Sequence, residues 1–239
     1  MEKNILKIEI CILNPYASKK SNEKLKLTAE KVIAQGSSIY VDDLDLSEID
    51  FNQHHEAANI SDLIKKVENN KSSDAFIVAS FEDIGVDTIR KITSKPIVGI
   101  GEACFYIANI IANRFSIVTN ISQTHEAIKN NLIKYDMDHK CVSLKSIEVP
   151  ILDMETMSKS NIRKLDIEIQ RTISEDKPEA IILTSAGISD LTKTFSEKYN
   201  LPFIEGISAA TALTQQLINL GIKIKKFENK PGRNFGIPI

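Results

Sequence analysis

The chain has 239 residues, 30 of them lysine or arginine and 32 aspartate or glutamate, for a formal net charge of −2. That balance argues against a nucleic-acid binder, which carries a basic excess on one face, and gives no reason to expect an anionic membrane surface as partner. With 42% hydrophobic and 26% charged residues the composition is that of a folded globular chain rather than a disordered one, and no run approaches the roughly 18 apolar residues of a spanning helix.

Strands and helices alternate along the whole sequence. Leu6 to Leu13 is a β-rich run closed by the turn signal Asn14-Pro15. Lys7 and Glu9 interrupt its apolar character, so no secretory signal is expected and a cytoplasmic location is. Asn22 to Ala34 suits a helix, and Ser38 to Val41 a short strand. Ile60, Leu63, Ile64 and Val67 fall at i, i+3, i+4 and i+7, one apolar helical face. Ala75 to Ala79 is a continuous apolar run, as expected of a strand covered on both faces. Further strands are predicted near 96–100, 115–119, 141–147, 179–184 and 202–205, with helical segments between them. One of these carries Ile162, Leu165, Ile169 and Ile173 on a single face. A last helix is predicted from Ser208 to Leu220, stopped by Gly221. Alternation of this kind means parallel sheets with helices on both sides.

Two stretches resemble each other. Asp74-Ala-Phe-Ile-Val-Ala-Ser80 and Glu179-Ala-Ile-Ile-Leu-Thr-Ser185 each begin with an acid, run through apolar β formers and end in serine. Glycines follow at Gly101 and Gly206, so serines and glycines share one offset of 105. Ile12-Leu-Asn14 similarly resembles Val118-Thr-Asn120. Two copies of one α/β unit, related by a pseudo-twofold axis, are therefore expected. Gly85, Gly99, Gly101, Gly187 and Gly206 fall at or just beyond strand ends, where open α/β sheets bind ligands. They point to a site between the halves.

Cysteine and histidine usage offers little chemistry. Cys11, Cys104 and Cys141 are odd in number, without close pairing or metal-ligand spacing. Cys11 and Cys141 lie in strand-like runs and read as small buried residues. Cys104, near an expected helix start, reads as packing or as a redeployed thiol. His54, His55, His125 and His139 are scattered among polar neighbours and read mostly as surface residues, so no metal centre is expected. No Gly-rich dinucleotide fingerprint occurs either. No cofactor is expected.

Ser80 and Ser185 end the matching strands and would face each other across a cleft. Two groups on opposite sides of one carbon suit a two-base proton exchange, one removing a proton and the other supplying one. An alcohol is a poor base for that task, unlike a thiol titrating near about 8.5. A serine after a buried strand also commonly caps the next helix. Glu102 and Glu205, at what look like corresponding strand ends, can contact substrate or cap the helices that follow. Lys223, Lys225, Lys226, Lys230 and Arg233 form a basic tail, read as a solvated end or a subunit contact.

The chain resembles the aspartate/glutamate/hydantoin racemase superfamily, and most its hydantoin and allantoin racemase branch. The resemblance is carried by Asn14-Pro15-Tyr16-Ala17-Ser18, Ser80-Phe-Glu-Asp-Ile-Gly85 and Pro96-Ile-Val-Gly-Ile-Gly-Glu-Ala103. It continues through Arg114-Phe-Ser-Ile-Val-Thr119, Val149-Pro-Ile-Leu-Asp153, Ser185-Ala-Gly-Ile-Ser-Asp190 and Phe203-Ile-Glu-Gly206. It implies two flavodoxin-like halves with the active site between them, and cofactor-independent chemistry by two thiols at positions 80 and 185. Both positions are serine here. Tyr16 and Ala17 replace the Asn-Thr usual in the first turn, and Glu205 the usual aspartate. Substrate contacts are expected from Asn14, Tyr16, Ser18, Phe81, Thr119, Asn120, Ala186 and Gly187.

The resemblance predicts an isomerase acting at a carbon next to a carbonyl, on a hydantoin, allantoin or amino-acid-like substrate, with racemisation impaired by the two serines. Three variants of this reading stay open. The thiols were exchanged by design, or the serines serve another isomerisation or lyase-like step, or the chain is a binding protein on a racemase scaffold. The expected first half comprises residues 1–98 plus 207–239, the second 99–206. A small-molecule substrate and a homo-oligomer are expected, with neither nucleic acid nor membrane as partner.

Overall fold

The structure, a computed structural model, describes residues 7–15, 19–43, 56–150, 153, 158–186 and 188–225. Among the described residues, eight strands form two four-stranded parallel sheets. The first sheet holds β1 (Glu9–Asn14), β2 (Ser38–Asp43), β3 (Ala75–Val78) and β4 (Ile97–Gly99), in the order β2-β1-β3-β4. The second holds β5 (Phe115–Thr119), β6 (Cys141–Ser146), β7 (Ala180–Leu183) and β8 (Phe203–Glu205), in the order β6-β5-β7-β8. The helices between them are α1 (Lys19–Glu30), α2 (Glu56–Asn69), α3 (Val86–Ile92), α4 (Ile100–Ile111), α5 (His125–Lys134), α6 (Lys159–Asp176), α7 (Ser189–Tyr199) and α8 (Gly206–Asn219). Among the described residues, no helix is long and apolar enough to cross a membrane.

The layering follows from the two-residue period of a strand. Ile10, Ile12, Ile77 and Ala79 point to one face of the first sheet and join a cluster that also holds Phe115, Ile117, Ala180 and Ile182 of the second. Alternate residues Cys11, Leu13, Phe76 and Val78 point the other way and pack on Leu63 and Val67 of α2 and Val86 and Ile89 of α3. In the second sheet Val118, Ile181 and Leu183 likewise cover Leu165 and Ile169 of α6 and Phe195 of α7. Both faces of the central strands are thus buried, which is why these read as unbroken apolar runs. The shared cluster includes Phe105 of α4, whose ring meets Phe81 edge-on at 5.5 Å and stacks with Phe115 at 6.4 Å.

The halves repeat in register, but not throughout. Ile10 pairs with Ala75, and Phe115 with Ala180, so β1/β5 and β3/β7 are both related by 105 residues. Phe76 pairs with Ile97 and Ile181 with Phe203, so β4/β8 are related by 106. The matching glycines are therefore not equivalent in space. Gly101 is the second residue of α4, whereas Gly206 is the first of α8.

Several element ends differ from the sequence reading. α1 begins earlier and ends at Glu30 rather than Ala34, Ile100 starts a helix where a strand end was expected, and the last helix starts at Gly206 rather than Ser208. Glycine and glutamate at positions 99 and 205 act as N-caps, ending the strands there. Cys141 is half-buried rather than buried, its thiol donating to the Ser143 carbonyl at 3.4 Å. His139 is exposed, but His125 turns its Nε2 into the protein with no hydrogen-bond partner. His54, His55, Lys226, Lys230 and Arg233 lie outside the described residues.

Candidate active site

In each sheet the chain crosses to one side of its first strand and then to the other, so a crevice opens beyond the carboxyl ends of the two central strands. Asn14 ends β1 and Ser80 follows β3; Thr119 ends β5 and Ser185 follows β7. The four thus occupy matching positions at the two crevices. Neither serine caps a helix. α3 starts at Val86 behind Gly85, and α7 at Ser189 behind Ile188. Gly85 sits at φ 75°, a left-handed conformation that a side chain would strain.

Each crevice is tied to the opposite half. Asn131 of α5 donates from Nδ2 to the Glu82 carbonyl at 2.8 Å, and the Tyr135 hydroxyl donates to Asp83 Oδ2 at 3.1 Å. On the other side, Lys31 beyond α1 pairs with Asp190 of α7 at 2.7 Å. The Ser80 turn is therefore met by α5 and its end, whereas on the other side the contact is between the residue after α1 and the first turn of α7.

The hydroxyls themselves are bonded differently. Ser80, fully buried, donates to Glu82 Oε2 at 2.7 Å. Ser185, half-buried, donates to Asn120 Oδ1 at 2.5 Å. Thr119 Oγ1 lies 3.0 Å from both Thr124 Oγ1 and the Thr184 hydroxyl, which donates to it. Asn14 Nδ2 donates to Asn22 Oδ1 at 2.7 Å, and Asn22 passes the bond on to Asp43. Phe81 contributes a ring to the core, with 4% of its surface exposed. Ala186 is half-buried against the shared cluster. Tyr16, Ser18 and Gly187 lie outside the described residues.

Glu102 and Glu205, expected at corresponding strand ends, are not equivalent: the amides that Glu205 caps in α8 are capped in α4 by Asp83. Glu205 is the N-cap of α8 and accepts from the Ile207 and Ser208 amides at 3.0 and 2.7 Å. In α4 the corresponding second and third amides, Gly101 and Glu102, go instead to Asp83 at 2.9 and 2.8 Å. Glu102 reaches back to the Gly99 amide at 3.0 Å and is held by Arg90. Satisfying these orphan amides is what a buried helix start requires. Asp83 was missed as a site residue because its partners lie 18, 19 and 52 residues away.

Asp83 adopts φ 53° with 6% of its surface exposed. Burial, then the Glu102 carboxylate, push its carboxyl up to about 8, against the amide and phenol donors that favour the charged form. Burial also pushes the Cys11 and Cys141 thiols up to about 12, and the Cys104 thiol well above its ordinary value. None is a ready thiolate at neutral pH, so Cys104 packs rather than reacts. Among the described residues, Asp136, Asp138 and His139 form an exposed group with metal-ligand spacing. It precedes β6 and so lies at the sheet edge opposite the crevices. A recess of about 270 Å³ between α5 and β6 contains none of the expected site residues.

The sequence profile of the Asp/Glu/hydantoin racemase family matches residues 10–214, and the chain belongs to that family. The hydantoin racemase of Pseudomonas sp. (strain NS671) is 31% identical over 165 residues, 69% of this chain and 66% of that one, just under two thirds of its length. The hydantoin racemase of Rhizobium meliloti is 28% identical over 173 residues, 72% of each chain. Among solved structures, the allantoin racemase from Klebsiella pneumoniae superposes with a TM-score of 0.86 at 28% identity, over 93% of this chain and 94% of that one.

Proposed function

We propose that this member of the Asp/Glu/hydantoin racemase family binds a hydantoin- or allantoin-like carbon acid between its two halves, without a cofactor. In this reading Ser80 and Ser185 stand at the two proton-transfer positions, on opposite faces of the carbon next to the substrate carbonyl. The observation that carries it is the equivalence of the two serines: each lies two residues beyond strands paired in the same register, at the crevice of its own sheet. Asn14, Thr119, Asn120 and Ala186 line the same strand ends and supply polar and small surfaces for a ureide ring.

A hydroxyl does not hold its anion near neutral pH as a thiol titrating near about 8.5 does. Loss of a positioned acid or base costs on the order of 10²–10⁴ in rate. In this reading the chain as written is therefore a poor catalyst of proton transfer that retains its binding surface. Restoring both thiols tests this. S80C/S185C is expected to drive the optical rotation of a single hydantoin or allantoin enantiomer to zero. Affinity for these ligands without any decay of rotation in the restored protein would make the chain a binding protein instead.

A further inference from the structure

The two reacting positions are not chemically equivalent. The Ser80 hydroxyl points its hydrogen at a carboxylate, Glu82, at 2.7 Å, whereas the Ser185 hydroxyl points its hydrogen at an amide oxygen, Asn120 Oδ1, at 2.5 Å. A carboxylate can take up that proton and release it; an amide oxygen cannot hold one near neutral pH. We propose that Glu82 is the proton acceptor of the first face, acting through the Ser80 hydroxyl, so that the chain moves the α-proton on one face of its substrate only. The proposal rests on the reading of the site given above.

Glu82 is fixed for this task from both sides. Its carbonyl accepts from Asn131 of the opposite half at 2.8 Å. Its neighbour Asp83 is pinned to the start of α4 by two backbone amides and to Tyr135 by a third bond. Ser80 is held in the same turn, its carbonyl accepting from the Asp83 amide at 3.0 Å. The serine–glutamate pair is therefore placed before substrate arrives, which is the condition for efficient proton transfer.

The step balances as follows in charge and atoms. The substrate Cα–H bond breaks and its electron pair moves into the adjacent carbonyl, giving an enolate. The departing proton passes to Ser80 Oγ as the serine's own hydrogen moves to Glu82 Oε2, which becomes a neutral acid. No serine anion accumulates. In heavy water Glu82 exchanges its proton with solvent and returns a deuteron through Ser80 to the same face. Configuration is retained, because the Ser185–Asn120 pair supplies no proton carrier on the other side.

Single restorations separate this from a symmetric site. S185C places a thiol on the second face while the first keeps Ser80 and Glu82. We expect S185C to racemise a 5-substituted hydantoin and to carry deuterium into both enantiomers. S80C, with its second face unchanged, should label one enantiomer only. Adding E82Q to S185C should slow racemisation by about 10²–10⁴, with hydantoin affinity by calorimetry changed less than about threefold. Retained binding also shows that the variant is folded. The proposal is overturned if S185C racemises no faster than S80C, or if E82Q leaves its rate unchanged or lowers affinity in parallel. If either result is seen while S80C/S185C racemises, the reading of the site survives and only the role of Glu82 falls. An inert, hydantoin-binding S80C/S185C ends both.

Discussion

The phenol of Tyr135 donates a hydrogen bond to Asp83 Oδ2 at 3.1 Å, joining a helix end of the second half to the serine-bearing turn of the first. The same carboxyl caps α4 through the Gly101 and Glu102 amides. One buried acid thus holds the Ser80 turn, the start of α4 and the junction of the halves together.

Stability should depend on pH through this group. The folded Asp83 titrates near about 8, above the ordinary 3.8. Between these values the native state binds more protons than the unfolded chain, so this contribution is full below about pH 4 and declines as pH rises to about 8. The slope is at most about 1.4 kcal/mol per pH unit. Asn cannot titrate, so in urea titrations the advantage of the parent over D83N should shrink from pH 5 to pH 8. A gap that widens over that range contradicts the assignment.

Arg90 donates to the Ile97 carbonyl at 2.7 Å and pairs with Glu102, whose side chain is 6% exposed. R90M leaves that carboxylate with its Gly99 amide but without its cation. Removing one partner of a buried pair costs about 3–5 kcal/mol. Because the Arg90 side chain is 30% exposed, water offsets part of this, and about 2–3 kcal/mol is expected from denaturant midpoints. A loss below about 0.5 kcal/mol would place the pair among surface ion pairs instead.

Two glycine replacements should separate close packing from backbone freedom. A Cβ on Gly101 would lie 2.2 Å from the Phe81 carbonyl, which cannot move without displacing the Ser80 turn. G101A should cost about 2–3 kcal/mol and weaken substrate binding. Gly221 has φ 66° and open space around it, so G221A should cost only about 1–2 kcal/mol of backbone strain and leave binding intact. Calorimetry on both variants checks the contrast.

Asn120 offers a way to equalise the faces. N120D sets a carboxylate where Ser185 now meets an amide oxygen at 2.5 Å. If a serine–carboxylate pair suffices, N120D should label the enantiomer that the parent does not, and rotation should decay at least about tenfold faster than in the parent. Proton NMR in heavy water reads the labelling on separate enantiomers, and polarimetry reads the decay. Unchanged selectivity would restrict the pairing's effect to Ser80.

Much of the architecture was legible because burial leaves a local pattern. A run such as Ala75 to Ala79 can be apolar throughout only if both faces are covered, and both are. The Asp74–Ser80 and Glu179–Ser185 likeness located two equivalent strand ends, and the paired registers agree. Composition, periodicity and the family resemblance together determined a two-sheet α/β racemase fold with serines at its matching positions. Spacing misled at the glycines, because one extra residue before β8 displaces Gly206 by one helical position.

Only the tertiary structure decided what those serines touch. Asn120 meets Ser185 across 65 residues, and Tyr135 meets Asp83 across 52. Glu82 is only two residues from Ser80, yet its orientation depends on a turn pinned by α4 and α5. Periodicity reports which face of an element is buried. A side-chain hydrogen bond instead requires two atoms within about 3 Å in a defined direction, and that geometry arises only when separate elements have packed.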